Sequence, residues 1–542
     1  MESFAADLAT MVRTPLGDDH VAAMRARGSE HDFAKGDVIV APGAPMGEFH
    51  YLLDGEIEAF DPTTDQRYGG AVLGRGQFTG DLGFLTGANA ILGNRAISSG
   101  RLLSVPRGDM LRLMSDMPEM SDIVVTVFAA RRRRMVETER AGIALIGVED
   151  SRELRALAAF AGRNRLPCRE IALNTDEARE LAQACGAEPG KPMAMLGRGQ
   201  LIEPATPKRL AQLLGIDLAL PKDEVLDVLI VGAGPAGVAA AVYAGAEGLS
   251  ALVLEDSAIG GQAGTSSRIE NYMGFPTGIS GADLVGRGEI QAMKFGTRFA
   301  MPRGAVSLTQ CSKRLFHVTL DDNRQVSARA LVIATGVQYR RLPWDRLDEF
   351  EGAGVYYAAT KSEARFCQGR EVVVIGGGNS AGQAAMFLSR TASHVHVLIR
   401  GDSLAASMSD YLSSRLEATS NITLHRRTEV TRLHGGDTLE AITVDADGTE
   451  QRMDVCGMFV MVGAAPNTDW LSDLVALDEK GFVRTGEAAG QDFPYATSCP
   501  GVFAVGDVRA GSVKRVASAV GEGSVVIGRV WDHVNTGAQN DG

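Results

Sequence analysis

The sequence predicts a multidomain chain: a small β-roll, then an alternating α/β domain, then a large α/β region built from two strand–turn–helix units. Three observations carry this. At 542 residues the chain is too long for a single core. Two apolar runs, one ending at Val231 and one at Ile375, each lead into a glycine-rich turn and a helix of small residues. Before the first of them, the hydrophobic pattern changes character near residue 140. The expected boundaries are 1–140 for the roll, 141–220 for the alternating domain, 224–340 and 463–535 for the first large unit, and 341–462 for the second.

In the first region GDVIVAPG, FHYLLDGEIEAF, AVLGRGQF and RLLSVPR are short apolar runs punctuated by Gly and Pro, as in a β-roll. Asp109–Met114 and Ile123–Glu139 then carry helical spacing, with a break at Asp116–Met117–Pro118. In the second region strands are expected at Ile143–Val148, Cys168–Leu173 and Met193–Leu196, and helices at Arg152–Phe160, Glu177–Cys185 and Pro207–Leu214. Residues 217–225, polar and proline-bearing, read as a linker.

Composition narrows the function. A net charge of −13 argues against a nucleic-acid partner and against an anionic membrane surface, since both need a basic face. The basic run Arg131–Arg134 reads as the solvated face of a helix. No stretch of eighteen apolar residues occurs, and the start lacks a signal-peptide pattern, so a cytoplasmic location is expected. The six cysteines are scattered without metal or redox spacing, which fits reduced thiols and offers no metal site. Sixty-four glycines imply many turns and close backbone approaches to ligands.

The run VLDVLIVGAGPAGVAAAVYAGAEGLSALVLED holds the first nucleotide signature. Gly232, Gly234 and Gly237 let the backbone approach a pyrophosphate at a helix N-terminus. Glu255, at the end of the next strand, is placed to accept from ribose hydroxyls. REVVVIGGGNSAGQAAMFLSRTASHVHVLIR repeats the logic with Gly376, Gly378 and Ala381. Its second strand ends in Arg400 rather than an acid, which favours a 2′-phosphate and hence NADPH over NADH.

Residues 224–535 resemble thioredoxin reductase: IGGQAGTSSRIENYMGFP is similar to that family's flavin loop, ALVIATGVQYRRLP to the exit from its FAD domain, and GVFAVGDVRAGSVKRVASAVGEGS to the returning segment. The resemblance implies two Rossmann-like domains, FAD and NAD(P)H as cofactors, and a homodimer. It implies FAD contacts at Gly232, Gly234, Pro235, Ala236, Gly237, Glu255, Asp256, Gly260, Gly261, Gln262, Asn271, Val306, Thr335, Gly336, Gly506, Asp507, Lys514, Arg515, Val516 and Ala517. It implies nicotinamide dinucleotide contacts at Gly376, Gly377, Gly378, Asn379, Ser380, Ala381 and Arg400. Lys514–Ala517 stands where the family usually reads Arg-Gln-Ala. Hinges for the family's swing of the NADP domain are expected around Leu342–Pro343 and Gly463–Ala464. Where the family carries a Cys-Ala-Thr-Cys, this chain has Ala358–Ala359–Thr360–Lys361; Cys367, six residues on, reads as a buried small hydrophobe.

The first region resembles a cyclic nucleotide-binding domain, with FTGDLGFLTGANAILGNRAIS as its phosphate cassette. The resemblance puts Asp81 at the ribose and Arg95 at the phosphate, and the shortened acid and lengthened spacing imply weak or absent binding. The second region resembles a thioredoxin fold with Pro192 at the cis-proline position. Ser151–Arg152–Glu153–Leu154 stands where the redox pair would be, so the domain is expected to be redox-silent. The expected activity is NAD(P)H-dependent reduction of an unidentified acceptor through FAD. The rivals are a nucleotide- or redox-responsive regulator and a disulfide reductase working through Cys367.

Overall fold

The computed structural model describes residues 15–538 apart from 139–141, 149–150, 187–191, 198, 218–219, 221–223, 267–268, 270, 313, 340–341, 358, 360, 405–407 and 472. By contacts the chain forms two compact units: one of residues 1–149, 156–336 and 467–542, the other of residues 150–155 and 337–466.

The first unit opens with the expected β-roll. Strands Ser29–Phe33, Gly100–Pro106 and Glu48–Asp54 form one antiparallel sheet. Val38–Val40, Gly93–Ala96, Ile57–Phe60 and Arg67–Leu73 form the other. Ser29–Phe33 and Gly93–Ala96 carry too little apolar character for sequence to find; their partners hold them. Pro118 starts the helix Pro118–Thr138, whose Met120, Val124 and Phe128 recur every four residues and are wholly buried. Phe128 packs on Phe49, Phe78 and Phe84, with ring centroids 5.8–6.3 Å away. The arginine run at the end of this helix is only partly a solvated face. Arg131 donates to Gly80 O at 2.8 Å, Arg132 pairs with Asp81 at 2.7 Å and Arg134 donates to Gly69 O at 3.2 Å. Charge alone hid this, because the roll offers carbonyls and a carboxylate that the sequence disperses.

The alternating domain follows, with strand order Cys168–Ala172, Ile143–Gly147, Met193–Leu196, Gln200–Ile202. The first pair is parallel and the other two pairs are antiparallel. Thr175 and Thr206 cap the helices Asp176–Ala184 and Pro207–Leu213 through their side chains. Lys191, before Pro192, lies outside the described residues. Asn89 donates to Leu213 O at 2.8 Å, tying this domain to the roll, and Asn164 donates to Ser257 O at 3.2 Å, tying it to the large α/β domain. The expected linker begins differently from its reading. The Asp217 side chain is only 3 % exposed and pairs with the fully buried Arg303, which also holds Asp322 at 2.9 Å.

The large domain of this unit is a mostly parallel sheet. Its central strands run Arg298–Ala300, Ala251–Leu254, Val225–Val231, Gln325–Ile333 and Val502–Ala504, all parallel. Leu315–Leu320 and Ala305–Ser312 extend it antiparallel. The strands are apolar on both faces, as parallel strands covered by helices must be.

The second unit has its own five-stranded parallel sheet, in the order Val355–Tyr356, Gly457–Val460, Glu371–Ile375, His394–Leu398, Ile422–His425. The chain passes between units at 336/337 and 466/467, so the second unit is a few residues longer at each end than the expected 341–462. The flanking segments Val337–Tyr339 and Ala464–Pro466 pair as an antiparallel ribbon, so Gly463–Ala464 begins a strand there.

Candidate functional site

The first glycine turn is built by steric necessity. Gly232 has φ +103°, and a Cβ there would stand 2.4 Å from Ala334 O. A Cβ on Gly237 would stand 1.9 Å from Gly232 O, so helix Pro235–Ala246 closes on the turn only because this residue has none. Gly234, by contrast, has nothing within 4 Å of its Cβ position. Two positions are closed by protein and one is open, as a pyrophosphate cradle at a helix N-terminus requires. Pro235 is the first helical residue, and Ala236 is buried beside Gly506 and Gly523.

Glu255, Gly260, Gly261 and Thr335 meet this turn. Glu255 Oε2 accepts from Ala233 N at 2.8 Å, and its Oε1 accepts from the N–H groups of Ser257 and Ala258. Burial, helped by neighbouring Asp256, lifts this carboxyl to about 7. Gly260 N donates to Ala233 O at 2.8 Å, and a Cβ on Gly261 would lie 3.2 Å from Gly234 Cα. Gln262 starts the short turn after them. Thr335 Oγ1 donates to Asn467 O at 2.8 Å where the chain crosses between units, next to Gly336 at φ +61°. Burial pushes the Asp507 carboxyl up, with Lys514 acting against it. Lys514 and Arg515 precede helix Val516–Ala538, whose first residues are Val516 and Ala517. Two residues stand farther out. Asn271 is exposed in the loop closed by the Ile269–Ile279 bridge, and Val306 is 56 % exposed on the edge strand Ala305–Ser312.

Sequence reasoning missed the buried ion pair that braces this site. Glu522 accepts from Gly506 N at 2.6 Å and from Arg509 Nη2 at 2.6 Å, and both side chains are nearly buried. Gly523, one residue on, lets helix Val516–Ala538 touch helix Pro235–Ala246: a Cβ there would sit 2.1 Å from Ala236 O. The signal was the Gly-Glu-Gly at 521–523, a charged residue between two helical glycines.

In the second unit Gly376, at φ +136°, would place a Cβ 2.4 Å from Met461 O. Gly377 follows, and Gly378 is the N-cap of helix Asn379–Leu388. Ser380 lies in the first turn, and Ala381 is fully buried. Asn379 Oδ1 accepts from Ser409 N at 2.9 Å. Arg400 is exposed just past strand His394–Leu398. Arg427 lies beside it, donating its N–H to Gly401 O at 3.3 Å and pairing with Asp402.

A family model described as pyridine nucleotide-disulphide oxidoreductase matches residues 226–523. The chain belongs to this family. Thioredoxin reductase of Listeria innocua is 34 % identical over 307 residues, 56 % of this chain and 92 % of that protein. A 34.2 kDa protein in the rubredoxin operon of Clostridium pasteurianum is 33 % identical over 316 residues, 56 % of this chain and 96 % of its own length. Among solved structures, Lactococcus lactis thioredoxin reductase aligns with a TM-score of 0.51 at 28 % identity, covering 57 % of this chain and 99 % of that one. The T. acidophilum enzyme aligns with a TM-score of 0.50 at 29 % identity, covering 58 % and 100 %. A second family model, cyclic nucleotide-binding domain, matches residues 30–117.

This pyridine nucleotide-disulphide oxidoreductase is therefore an NAD(P)H-dependent FAD oxidoreductase of the thioredoxin reductase kind. Its thiols are arranged unlike the expected scatter. Cys367 is buried as foreseen, but it shares one core with Cys456, eighty-nine residues away in sequence. Neighbouring Cys456 and burial push the Cys367 thiol up, away from the thiolate that attacks disulfides. Ala358 and Thr360 lie outside the described residues, and Lys361 opens helix Lys361–Phe366. Among the described residues no group of His, Cys, Asp and Glu is arranged to hold a metal ion. None of the described helices is long and apolar enough to cross a membrane.

Arg95, expected at the phosphate, is engaged within the protein. Its guanidinium pairs with Glu58 at 2.7 Å and Asp65 at 3.0 Å and lies over the Phe60 ring. Asp81, expected at the ribose, pairs with Arg132 and accepts from Gly83 N at 2.9 Å. Ser151, at the expected redox position of the middle domain, accepts from Leu154 N at 3.3 Å and so caps a helix.

Proposed function

We propose that the chain is an NADPH-preferring flavin reductase that delivers electrons to a non-dithiol acceptor: a quinone, a small electron carrier or oxygen. The observation that carries the reading is the cysteine inventory, in which no two cysteines stand at CxxC spacing and Lys361 occupies the second position of the family's dithiol. Relay to thioredoxin needs two thiols at the flavin. Bound FAD would accept hydride from the nicotinamide, chemistry that belongs to the cofactor. The protein's own part is positional. Gly232, Gly234 and Gly237 would cradle the pyrophosphate, Glu255 would receive the adenosine ribose, and Asp507 with helix Val516–Ala538 would hold the flavin end. Gly376–Ala381 would seat the second dinucleotide, with Arg400 on its 2′-phosphate.

The middle domain reads as a thioredoxin-like spacer, supported by its strand order and by the helix-capping Ser151. We read the protein as a homodimer. One observation favours a second reading: the Cys367–Cys456 contact would suit a disulfide reductase that uses displaced thiols. One experiment separates the two. NADPH oxidation is followed with a benzoquinone and, separately, with thioredoxin and a disulfide substrate. Quinone turnover that survives Cys367→Ala, without thioredoxin turnover, supports the first reading. Thioredoxin turnover abolished by that substitution supports the second.

A further inference from the structure

The N-terminal roll encloses a cavity of about 640 Å³, inside the range of roughly 300–1,000 Å³ typical of small-molecule sites. The two residues that the resemblance puts at a cyclic nucleotide's phosphate and ribose are already paired within the protein. Such a ligand brings a phosphate charge and a ribose hydroxyl, and each must find a polar partner inside. Arg95 is not among the lining residues, being held by Glu58 and Asp65. Asp81 reaches the wall, but one oxygen is 2.7 Å from Arg132 and the other accepts from Gly83 N. From the cassette, apolar Phe84, Ala90, Ile91 and Leu92 face the cavity together with Thr79 and Asn94. His50, on the same wall, is bonded to Ser104 at 2.8 Å, and burial lowers its pKa toward the neutral form.

The remaining wall is mixed: Glu48, Tyr68, Thr79 and Asn94 bring polar groups to it. Met46, Val72, Leu73 and Met135 continue the apolar surface. Arg131 and Arg134, one helical turn apart on Pro118–Thr138, line the cavity together, and Arg134 is exposed to solvent. A chamber with a large apolar wall and two guanidiniums along one helix suits an apolar body carrying a single acidic head.

We propose that this cavity binds an apolar organic monoanion, an alkyl or aromatic carboxylate, with its body against Ile91 and Leu92 and its head toward Arg131 and Arg134. The inference concerns the roll alone and does not depend on the electron acceptor.

Calorimetry on the full-length protein tests it, with sodium dodecanoate as probe below its micellar range and cyclic AMP as comparator. Dodecanoate is expected to bind one site per chain, while cyclic AMP gives no saturable heat. Arg131→Ala/Arg134→Ala should weaken dodecanoate by at least about tenfold by removing the charged end. Because that double change also cuts the helix from Gly80 and Gly69, Leu92→Asp is measured in parallel. It leaves those contacts in place and sets a like charge in the wall, so it should weaken binding by a similar factor. Saturable cyclic AMP binding with none for dodecanoate would overturn the assignment. So would the absence of binding by either ligand, or dodecanoate binding unchanged in Leu92→Asp.

Discussion

Glu255 gives the sharpest handle on the flavin cradle. The carboxyl is 8 % exposed and raised from 4.5 to about 7, chiefly by burial. The folded chain therefore holds this proton more tightly than the unfolded chain. Its contribution to stability is full below pH 4.5 and lost as pH rises toward 7. The shift converts to a loss of about 3 kcal/mol for the flavin-free protein. Glu255→Gln removes the titration but keeps an oxygen for Ala233 N. The comparison is between slopes, because the amide's NH2 also costs something opposite Ser257 and Ala258. Trp470, buried against the core of the same domain, reports local unfolding once Trp344 and Trp531 are replaced by Phe. Between pH 4.5 and 8 flavin-free wild type should lose about 3 kcal/mol more than Glu255→Gln in urea unfolding. The variant should also bind FAD about tenfold more weakly, for want of a carboxylate at the ribose. Parallel pH profiles for the two proteins would refute the reasoning, since the carboxyl would then be no harder to ionise folded than unfolded.

Three further outcomes follow from the same geometry. Gly237→Ala sets a methyl 1.9 Å from Gly232 O and should purify largely without flavin, read as the ratio of flavin to protein absorbance. Arg509→Ala leaves Glu522 charged and buried without its guanidinium, and should cost about 3–5 kcal/mol in the FAD domain; Arg509→Ala/Glu522→Gln should recover part of that in thermal melts. Arg400→Ala should lower the NADPH:NADH ratio of kcat/KM by about tenfold, mainly through the KM for NADPH, and an unchanged ratio would remove Arg400 from the 2′-phosphate.

How far the sequence could be read depended on the range of each constraint. Gly232, Gly234, Gly237 and Glu255 were legible because a pyrophosphate cradle needs fixed residue types at fixed local spacing, and the strand and helix that frame them lie beside them in the chain. The same holds for Gly376–Ala381. Contacts made across the fold left no such trace. Arg509 and Glu522 are thirteen residues apart on different elements, Asp217 and Arg303 are joined only by the tertiary structure, and Cys367 meets Cys456 because the strand Gly457–Val460 runs beside Glu371–Ile375. Arg131–Arg134 was partly misread for the same reason: a charge run is solvated unless something distant meets it, and here Gly80, Asp81 and Gly69 do. Arg95 shows the converse limit, for a residue type in nearly the right place can be claimed by a neighbouring strand, as Glu58 claims it.

On the proposed function, the flavin exchanges electrons without a coupled dithiol. Anaerobic titration of the FAD-loaded protein with dithionite, followed by flavin absorbance, tests it most directly. Full reduction should consume two electrons per FAD, in wild type and in Cys367→Ala/Cys456→Ala alike. Consumption of four electrons in wild type, falling to two in the double variant, would reveal a redox-active disulfide and contradict the claim.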